Sequence, residues 1–131
     1  MRPSSTDSPE DGPTNSPGDK TAGTPFRVGQ VVRLRPERRD TYIALHQAVW
    51  PEVLAMISSC NITNYSVFEL DGLLFSYFEY TGSNWEQDNA KMMADPATRR
   101  WWSLTDPCQE AVGGRDGPRP WTPMTEIFHH E

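Results

Sequence analysis

The dipeptide Asp71-Gly72 constrains the fold of this chain more than any other local feature. It separates two apolar, strand-like runs, residues 62–70 and residues 73–81. Asp-Gly is a preferred pair for a two-residue hairpin turn, because both turn positions need a positive φ. The second run is rich in aromatic residues, which is typical of a half-buried strand. The sequence therefore predicts an antiparallel hairpin near the middle of the chain.

Residues 1–25 differ in composition from the rest of the chain. They combine Pro, Ser, Thr, Asp and Gly with no aromatic residue and almost no aliphatic one. Such a segment buries too little apolar surface to offset the entropy of ordering. No apolar stretch follows Arg2, as a secretory signal requires, and no later run is long enough to span a bilayer. We expect a disordered tail over residues 1–25 and one α+β domain over residues 26–131.

Charge and cysteine content narrow the classes of function. The formal net charge is −6, and no stripe of Lys and Arg is visible, which argues against a nucleic-acid partner. Cys60 and Cys108 have neither the number of a disulfide framework nor the spacing of metal ligands. We interpret both as buried or half-buried apolar residues, which suits the cytoplasm. The terminal pair His129-His130 is typical of solvated histidines, so we expect no metal site.

The remaining elements follow from periodicity and capping signals. Residues 27–35 alternate as a strand, and Gln30 on its apolar side is suited to facing a cavity. Pro36 begins a helix that is predicted to reach about Val49, bend at Pro51 and continue to residue 58 or 59. Three further elements are predicted: a helix to residue 94 capped by Ser83 with Glu86, a helix from the Asp95-Pro96 pair to about Thr105, and a final strand over residues 124–129.

The predicted order β-α-β-β-α-β is that of the ferredoxin-like, or split βαβ, arrangement. Helices cover one face of such an antiparallel sheet and leave the other face bare. Pairing two sheets across a two-fold axis covers the bare face. We therefore expect a homodimer.

Tyr42, His46 and Trp50 recur at steps of four residues before Pro51. On one continuous helix, each step advances about 40° past a full turn, so the three side chains form one slanted stripe. A phenol, an imidazole and an indole on one face are suited to the wall of a pocket for a small polar ligand. The alternative interpretation is that all three belong to the core, with their polar atoms satisfied.

The order and spacing of several motifs resemble the L-rhamnose mutarotase family over residues 26–131. These motifs are Tyr42/His46/Trp50-Pro51-Glu52, Asn64-Tyr65, Trp101-Trp102, Thr105-Asp106 and Glu126-Ile127-Phe128. The resemblance implies ferredoxin-like protomers paired into a dimeric α/β barrel. It also implies an isomerase that interconverts the α and β anomers of a 6-deoxyhexose, such as L-rhamnose, without a metal or cofactor. A member of the family has Asn-Pro directly after the histidine, whereas this chain has Gln47-Ala48 at those two positions.

Carried over by position, the resemblance assigns the catalytic acid/base role to His46 and sugar binding to Tyr42, Tyr65, Trp101 and Trp102. An imidazole suits the reaction because its ordinary pKa, about 6.5, lets it give or take a proton near neutrality. Opening the ring also needs a second proton-transfer group. Tyr42 is the nearest candidate along the stripe, and Asp106 is equally suited to that task or to a helix end.

Two other functions fit the same architecture. Small ferredoxin-like dimers also include cofactor-free monooxygenases with His, Trp and Tyr in similar cavities. A non-catalytic sugar-binding module, in which His46 only forms a hydrogen bond, is the second alternative. Oxygen uptake with aromatic substrates indicates the first, and sugar binding without faster anomer exchange indicates the second.

Overall fold

The computed structural model describes residues 26–114 and 119–131. The tail predicted over residues 1–25 lies outside this part of the chain. The regular elements are β1 (Phe26–Leu34), α1 (Arg39–His46), α2 (Pro51–Ser59), β2 (Ile62–Leu70), β3 (Leu73–Tyr80), α3 (Trp85–Ala94), α4 (Pro96–Thr105), β4 (Gln109–Glu110) and β5 (Thr122–Pro123). Within the described ranges, no helix is long and apolar enough to cross a membrane.

The hairpin predicted from Asp71-Gly72 is confirmed. β2 and β3 pair antiparallel, and Leu70 lies opposite Leu73 at the closed end of the ladder. The φ angles of Asp71 and Gly72 are 52° and 80°, so both turn positions are left-handed. This is the type I′ geometry, whose twist matches that of the flanking strands.

A single antiparallel sheet carries the described strands in the order β2-β3-β1-β4, and β5 also pairs with β1. Along β3, burial alternates: Leu74, Ser76, Phe78 and Tyr80 are buried, whereas the residues that alternate with them are only partly covered. Tyr42 of α1 and Met92 of α3 pack against this buried face. The class expected from the sequence, a mixed α/β protein with an antiparallel sheet, is therefore confirmed.

The prediction of one bent helix through Trp50 is wrong. α1 ends at His46, and α2 begins afresh at Pro51. Trp50 has φ −64° and ψ 138°, which is an extended conformation. The ring of Pro51 disfavours a helical conformation at the preceding residue, so the chain leaves the helix before Trp50. Only Tyr42 and His46 therefore share a helical face.

The caps of α3 and α4 are formed by neighbouring Asx side chains. Asn84, not the predicted Ser83, caps α3 and accepts a hydrogen bond from Gln87 N at 3.0 Å. Asp95 caps α4 as predicted, and its carboxylate accepts from Thr98 N at 2.9 Å. Asparagine and serine are both good caps, so sequence alone does not separate two adjacent positions.

The final strand predicted over residues 124–129 is absent. The described C-terminal segment forms a ladder with β1 at Thr122–Pro123, and residues 124–131 have no regular structure. The segment still follows β1 beyond the ladder, since Met124 N donates to Gly29 O at 2.8 Å and Arg27 donates to Glu126 at 3.0 Å. Ile127 and Phe128 are 90% and 77% exposed, so neither side chain packs into the core of this chain.

The core consists of two groups of buried side chains. One group surrounds Cys108 and includes Leu34, Tyr42 and Leu74. The other surrounds Cys60. Both thiols are free and fully buried, which confirms the interpretation of the two cysteines as buried apolar residues.

Candidate functional site

A cavity of about 910 Å³ lies between the helices and the sheet. Its size is that of a site for a small organic ligand. The residues to which the family resemblance assigns catalysis and sugar binding all line this cavity, namely Tyr42, His46, Tyr65, Trp101 and Trp102. Trp50, the third residue of the predicted stripe, and Asp106, the second candidate for proton transfer, are not among the lining residues. Gln30, which was expected to face a cavity, lines it too. The structure therefore brings together side chains from two helices and two strands.

One turn of α1 sets the geometry of the imidazole. The rings of Tyr42 and His46 are four residues apart, and their centroids are 4.2 Å apart. His46 Nδ1 lies 2.9 Å from the backbone carbonyl oxygen of Tyr42. Because a carbonyl only accepts, Nδ1 carries the proton in this contact. In the neutral imidazole, Nε2 is then the basic nitrogen.

The two cavity phenols stay protonated. Tyr42 is 4% exposed, and its hydroxyl accepts a hydrogen bond from Gln109 Nε2 at 3.1 Å, so its own proton is available to another acceptor. Burial, assisted by the nearby Tyr65, raises the pKa of Tyr42 above its usual range. Burial also raises the pKa of Tyr65. Tyr65 as a whole residue is 45% exposed, so it lies at the open side of the cavity.

The two adjacent indoles of α4 have different surroundings. Trp101 is 6% exposed and contacts His46 and Trp50 edge to face, with centroids 5.3 and 5.4 Å away. Trp102 lies under the guanidinium of Arg119, whose Cζ is 3.9 Å from the ring centroid. Neighbours on a helix point about 100° apart, which explains the difference. Trp101 supports the imidazole, and Trp102 forms a separate wall.

A bulge in β2 directs Tyr65 into the cavity. The register with β3 shifts between Thr63 and Ser66, and Asn64 has φ 52°. One extra residue in a strand reverses the alternation that follows it, so Tyr65 reaches the helix-covered face. The side chain of Asn64 donates to Glu79 at 2.8 Å, so it bonds to the neighbouring strand at the bulge.

The sequence analysis missed Arg119 and Gln109. Arg119 lines the cavity and donates to Asp106 Oδ1 at 2.9 Å. Gln109 is 5% exposed and reaches the Tyr42 hydroxyl from β4. Neither residue lies in a motif, and each enters the site through tertiary contacts, so no local signal identifies them. The described residues contain no group of three His, Cys, Asp or Glu side chains able to hold a metal.

Comparison with known proteins gives a consistent result. The family model for L-rhamnose mutarotase matches residues 27–130. An L-rhamnose mutarotase of Oceanobacillus iheyensis is 30% identical over 103 residues, which cover 79% of this chain and 96% of that protein. The L-rhamnose mutarotase of Lactiplantibacillus plantarum is 28% identical over 105 residues, with the same two coverages, 79% and 96%.

Solved structures resemble the fold. The crystal structure of an L-rhamnose mutarotase from Formosa agariphila superposes with a TM-score of 0.62 at 18% identity. The match covers 80% of this chain and 98% of that one. A NIPSNAP family protein from Agrobacterium tumefaciens has a TM-score of 0.50 at 14% identity, over 65% of this chain and 76% of its own. At these identities, the likeness concerns the fold alone.

Proposed function

Because the chain belongs to the L-rhamnose mutarotase family, we propose that it interconverts the α and β anomers of a 6-deoxyhexose such as L-rhamnose. One observation carries this proposal. His46 and the four side chains expected to bind sugar come from α1, β2 and α4 and line the same cavity. The imidazole in that cavity has its Nδ1 proton engaged by the Tyr42 carbonyl.

General acid–base catalysis at His46 is the proposed mechanism. Nε2 takes the proton of the anomeric hydroxyl while the bond between C1 and the ring oxygen breaks. The electrons of the O–H bond form the new carbonyl, and the ring oxygen receives a proton from an acid. Rotation about the C1–C2 bond exposes the other face of the carbonyl, and the reverse steps close the ring. Protons and electrons balance, and such catalysis contributes about 10²–10⁴-fold.

The acid in this scheme is a phenol, because one imidazole cannot give and take a proton at the same instant. Tyr42 is the better placed of the two cavity tyrosines, since its ring lies 4.2 Å from that of His46. Gln109 donates to its oxygen at 3.1 Å and leaves the phenolic proton free to reach the sugar. In the proposed role, Tyr42 orients the sugar or relays the proton to the ring oxygen.

We also propose that the indoles select a deoxy sugar. The C–H face and the methyl group of a 6-deoxyhexose provide apolar area that packs on an aromatic ring. Trp102 lines the cavity, and Trp101 contacts the imidazole edge to face. A hydroxyl in place of the methyl group would be desolvated there without a partner.

The proposed assembly is a dimeric α/β barrel of ferredoxin-like protomers in the cytoplasm. The strand order β2-β3-β1-β4 is consistent with this arrangement. Leu70 on the sheet and Ile127 and Phe128 near the C-terminus are 64%, 90% and 77% exposed. A second copy of the chain can cover such side chains, because in a two-fold interface the same patch of each chain packs against its copy.

Exchange between anomers, measured by NMR saturation transfer on the anomeric protons of L-rhamnose and L-fucose, tests the activity. We expect the wild type to speed exchange of at least one of these sugars. His46→Ala should lower the enzymatic rate about 10²–10⁴-fold. His129→Ala, which removes an exposed histidine outside the cavity, serves as the matched control and should retain the wild-type rate.

Three results would contradict the proposal. Wild-type exchange no faster than buffer, with sugar still bound, would indicate a binding module. Oxygen uptake with aromatic substrates would indicate the monooxygenase alternative. Full activity in His46→Ala would remove the imidazole from the mechanism.

A further inference from the structure

One polar side chain lies in the central part of the sheet that forms the floor of the cavity. Of the described residues of β1 and β3, those that line the cavity are Gln30, Leu74 and Phe78. Val28 and Val32, which precede and follow Gln30 on the same face of β1, pack into the apolar core. An amide among apolar neighbours lowers the stability of the fold unless it finds polar partners. Gln30 is therefore a candidate for a role in binding.

The amide of Gln30 is engaged at its oxygen and unpaired at its nitrogen. Ser76 Oγ donates to Gln30 Oε1 across the strand pair, in a long contact of 3.5 Å. Within the described part of the chain, Gln30 Nε2 has no hydrogen-bond partner, yet it is not sealed from solvent as Nε of Arg119 is. Because Gln30 lies on the helix-covered face and lines the cavity, its two N–H groups are accessible from the cavity.

The position of Gln30 relative to His46 indicates which part of a ligand the amide reaches. Gln30 lies on β1, in the sheet, whereas His46 lies on α1, in the helical layer, and both line the cavity between the two layers. A pyranose that presents its C1 hydroxyl to the imidazole therefore presents other hydroxyls to the sheet. A neutral amide donates well to a neutral hydroxyl oxygen, and the hydroxyl keeps its own proton for another acceptor.

We propose that Gln30 is a specificity-determining residue, whose Nε2–H donates to a ring hydroxyl away from C1 in the bound sugar. Ser76 is the positioning residue that holds the amide oxygen. This inference rests on the proposed function for the identity of the ligand. L-Rhamnose and L-fucose differ in configuration at C2 and C4, so one fixed donor reaches a hydroxyl in one sugar and misses it in the other. The aromatic walls do not make this distinction, because both sugars carry the methyl group.

Binding of L-rhamnose and L-fucose, measured by NMR titration of the protein, tests the role of Gln30 apart from catalysis. Gln30→Met keeps the approximate length and volume of the side chain but removes the amide. We expect the Kd of the preferred sugar to rise about 3–10-fold and that of the other sugar to stay the same or fall, so the preference shrinks. Gln87→Met is the matched control, because Gln87 is exposed on α3 and does not line the cavity.

Stability separates a binding role from a structural one. If Gln30 served only the fold, its removal would lower the free energy of unfolding and leave the sugar preference unchanged. In the proposed role, the fold does not depend on the amide. Gln30→Met combined with Ser76→Ala removes both ends of their contact, so the urea midpoint should stay the same or rise while the sugar affinity falls. Ser76→Ala alone should raise the Kd by a smaller factor than Gln30→Met.

Monodeoxy analogues of the preferred sugar identify the contacted hydroxyl. Each analogue lacks one hydroxyl, at C2, C3 or C4, and should bind the wild type more weakly than the parent sugar. For one of them, we expect this loss of affinity to vanish in Gln30→Met, because the two changes remove the same hydrogen bond.

The outcomes separate this inference from the proposed function. Equal affinity of the wild type for the two sugars, or an unchanged preference in Gln30→Met, would overturn the role of Gln30 and leave the mutarotase activity intact. A preference that depends on Gln30 without anomer exchange would support the inference and contradict the proposed activity. If Gln30→Met fails to fold, the double variant with Ser76→Ala, which leaves neither polar group unpaired, decides.

Discussion

The hydrogen bond from His46 Nδ1 to the Tyr42 carbonyl limits what the imidazole can do. It joins residues four apart on α1, at 2.9 Å, and it occupies one ring nitrogen. The other nitrogen alone is left for chemistry, so His46 acts on one substrate atom at a time. A second residue must therefore transfer the other proton, and the two cavity phenols are protonated groups that can donate one.

Replacing Tyr42 with Phe tests that partnership. The substitution keeps the buried ring but removes the hydroxyl and leaves Gln109 Nε2 without its acceptor. We expect kcat for anomer exchange to fall at least about 10-fold, within the range of general acid catalysis. Tyr77→Phe is the matched control, because the Tyr77 hydroxyl bonds to Glu79 at 2.7 Å and the residue does not line the cavity. Equal activity in both variants would remove Tyr42 from proton transfer.

At the scale of elements, the hydroxyl of Tyr80 on β3 holds the start of α3 against the sheet. The Tyr80 hydroxyl donates to Asp88 at 2.5 Å and accepts from Asn84 N at 3.1 Å. The ring of Trp85, the first residue of α3, packs on Tyr80 with centroids 5.1 Å apart. The Tyr80 side chain therefore links the start of this helix to the end of β3.

The contribution of the Tyr80 hydroxyl to the stability of the fold should decrease at high pH. Burial and the hydrogen bond to Asp88 raise the pKa of Tyr80 to about 12. Below pH 10 the phenol is neutral in both folded and unfolded chains, so its full contribution to stability is present. Between pH 10 and 12 only the unfolded chain ionises, so the free energy of unfolding falls as pH rises, by about 1–3 kcal/mol. Urea midpoints at pH 9, 10 and 11 should show a smaller fall in Tyr80→Phe than in the wild type.

The cap of α3 gives a second test at this scale. Asn84→Ala removes the acceptor for Gln87 N and should lower the free energy of unfolding by about 1 kcal/mol. Ser83→Ala is the matched control, since Ser83 was the predicted cap and is not the one observed. Chemical denaturation of both variants measures the difference. A larger loss in Ser83→Ala than in Asn84→Ala would contradict the cap assignment.

Elements with local signals were predictable from sequence, and the parts set by distant contacts were not. Asp71-Gly72 and Asp95-Pro96 carry their geometry in two residues each, and both predictions hold. The bulge at Asn64 depends on pairing with β3, and the approach of Arg119 to Trp102 depends on how the chain returns to α4. The His46 and Tyr65 assignments came from family resemblance. Their shared cavity is visible only in three dimensions.

At the scale of the whole molecule, the described chain leaves apolar side chains uncovered. Leu70 lies at the hairpin, and Ile127 and Phe128 lie in the segment where a strand was predicted. A segment whose apolar side chains stay exposed in its own chain is suited to packing against another copy. The missing final strand and the proposed homodimer are thus aspects of one feature.

Light scattering after size exclusion tests the homodimer. We expect the wild type to elute with the mass of two chains. Leu70→Lys combined with Phe128→Lys should give monomers, because two like charges would face their copies across a two-fold axis. Leu104→Lys is the matched control, since Leu104 is 44% exposed on α4, and this variant should remain dimeric. A monomeric wild type would contradict the assembly.

Because the two cysteines are buried in different clusters of the core, their reaction with a labelling reagent reports local opening of each cluster. Cys108 sits in the cluster with Tyr42, and Cys60 sits in the cluster with Tyr80. Burial raises the pKa of both thiols, so neither reacts with a labelling reagent until its surroundings part. Cys60→Ser leaves only Cys108 to be modified, and Cys108→Ser leaves only Cys60. Equal modification rates for the two variants would mean that both clusters open together. Unequal rates would show which cluster opens more readily: the one around Cys108, which contains Tyr42, or the one around Cys60, which contains Met92 of α3.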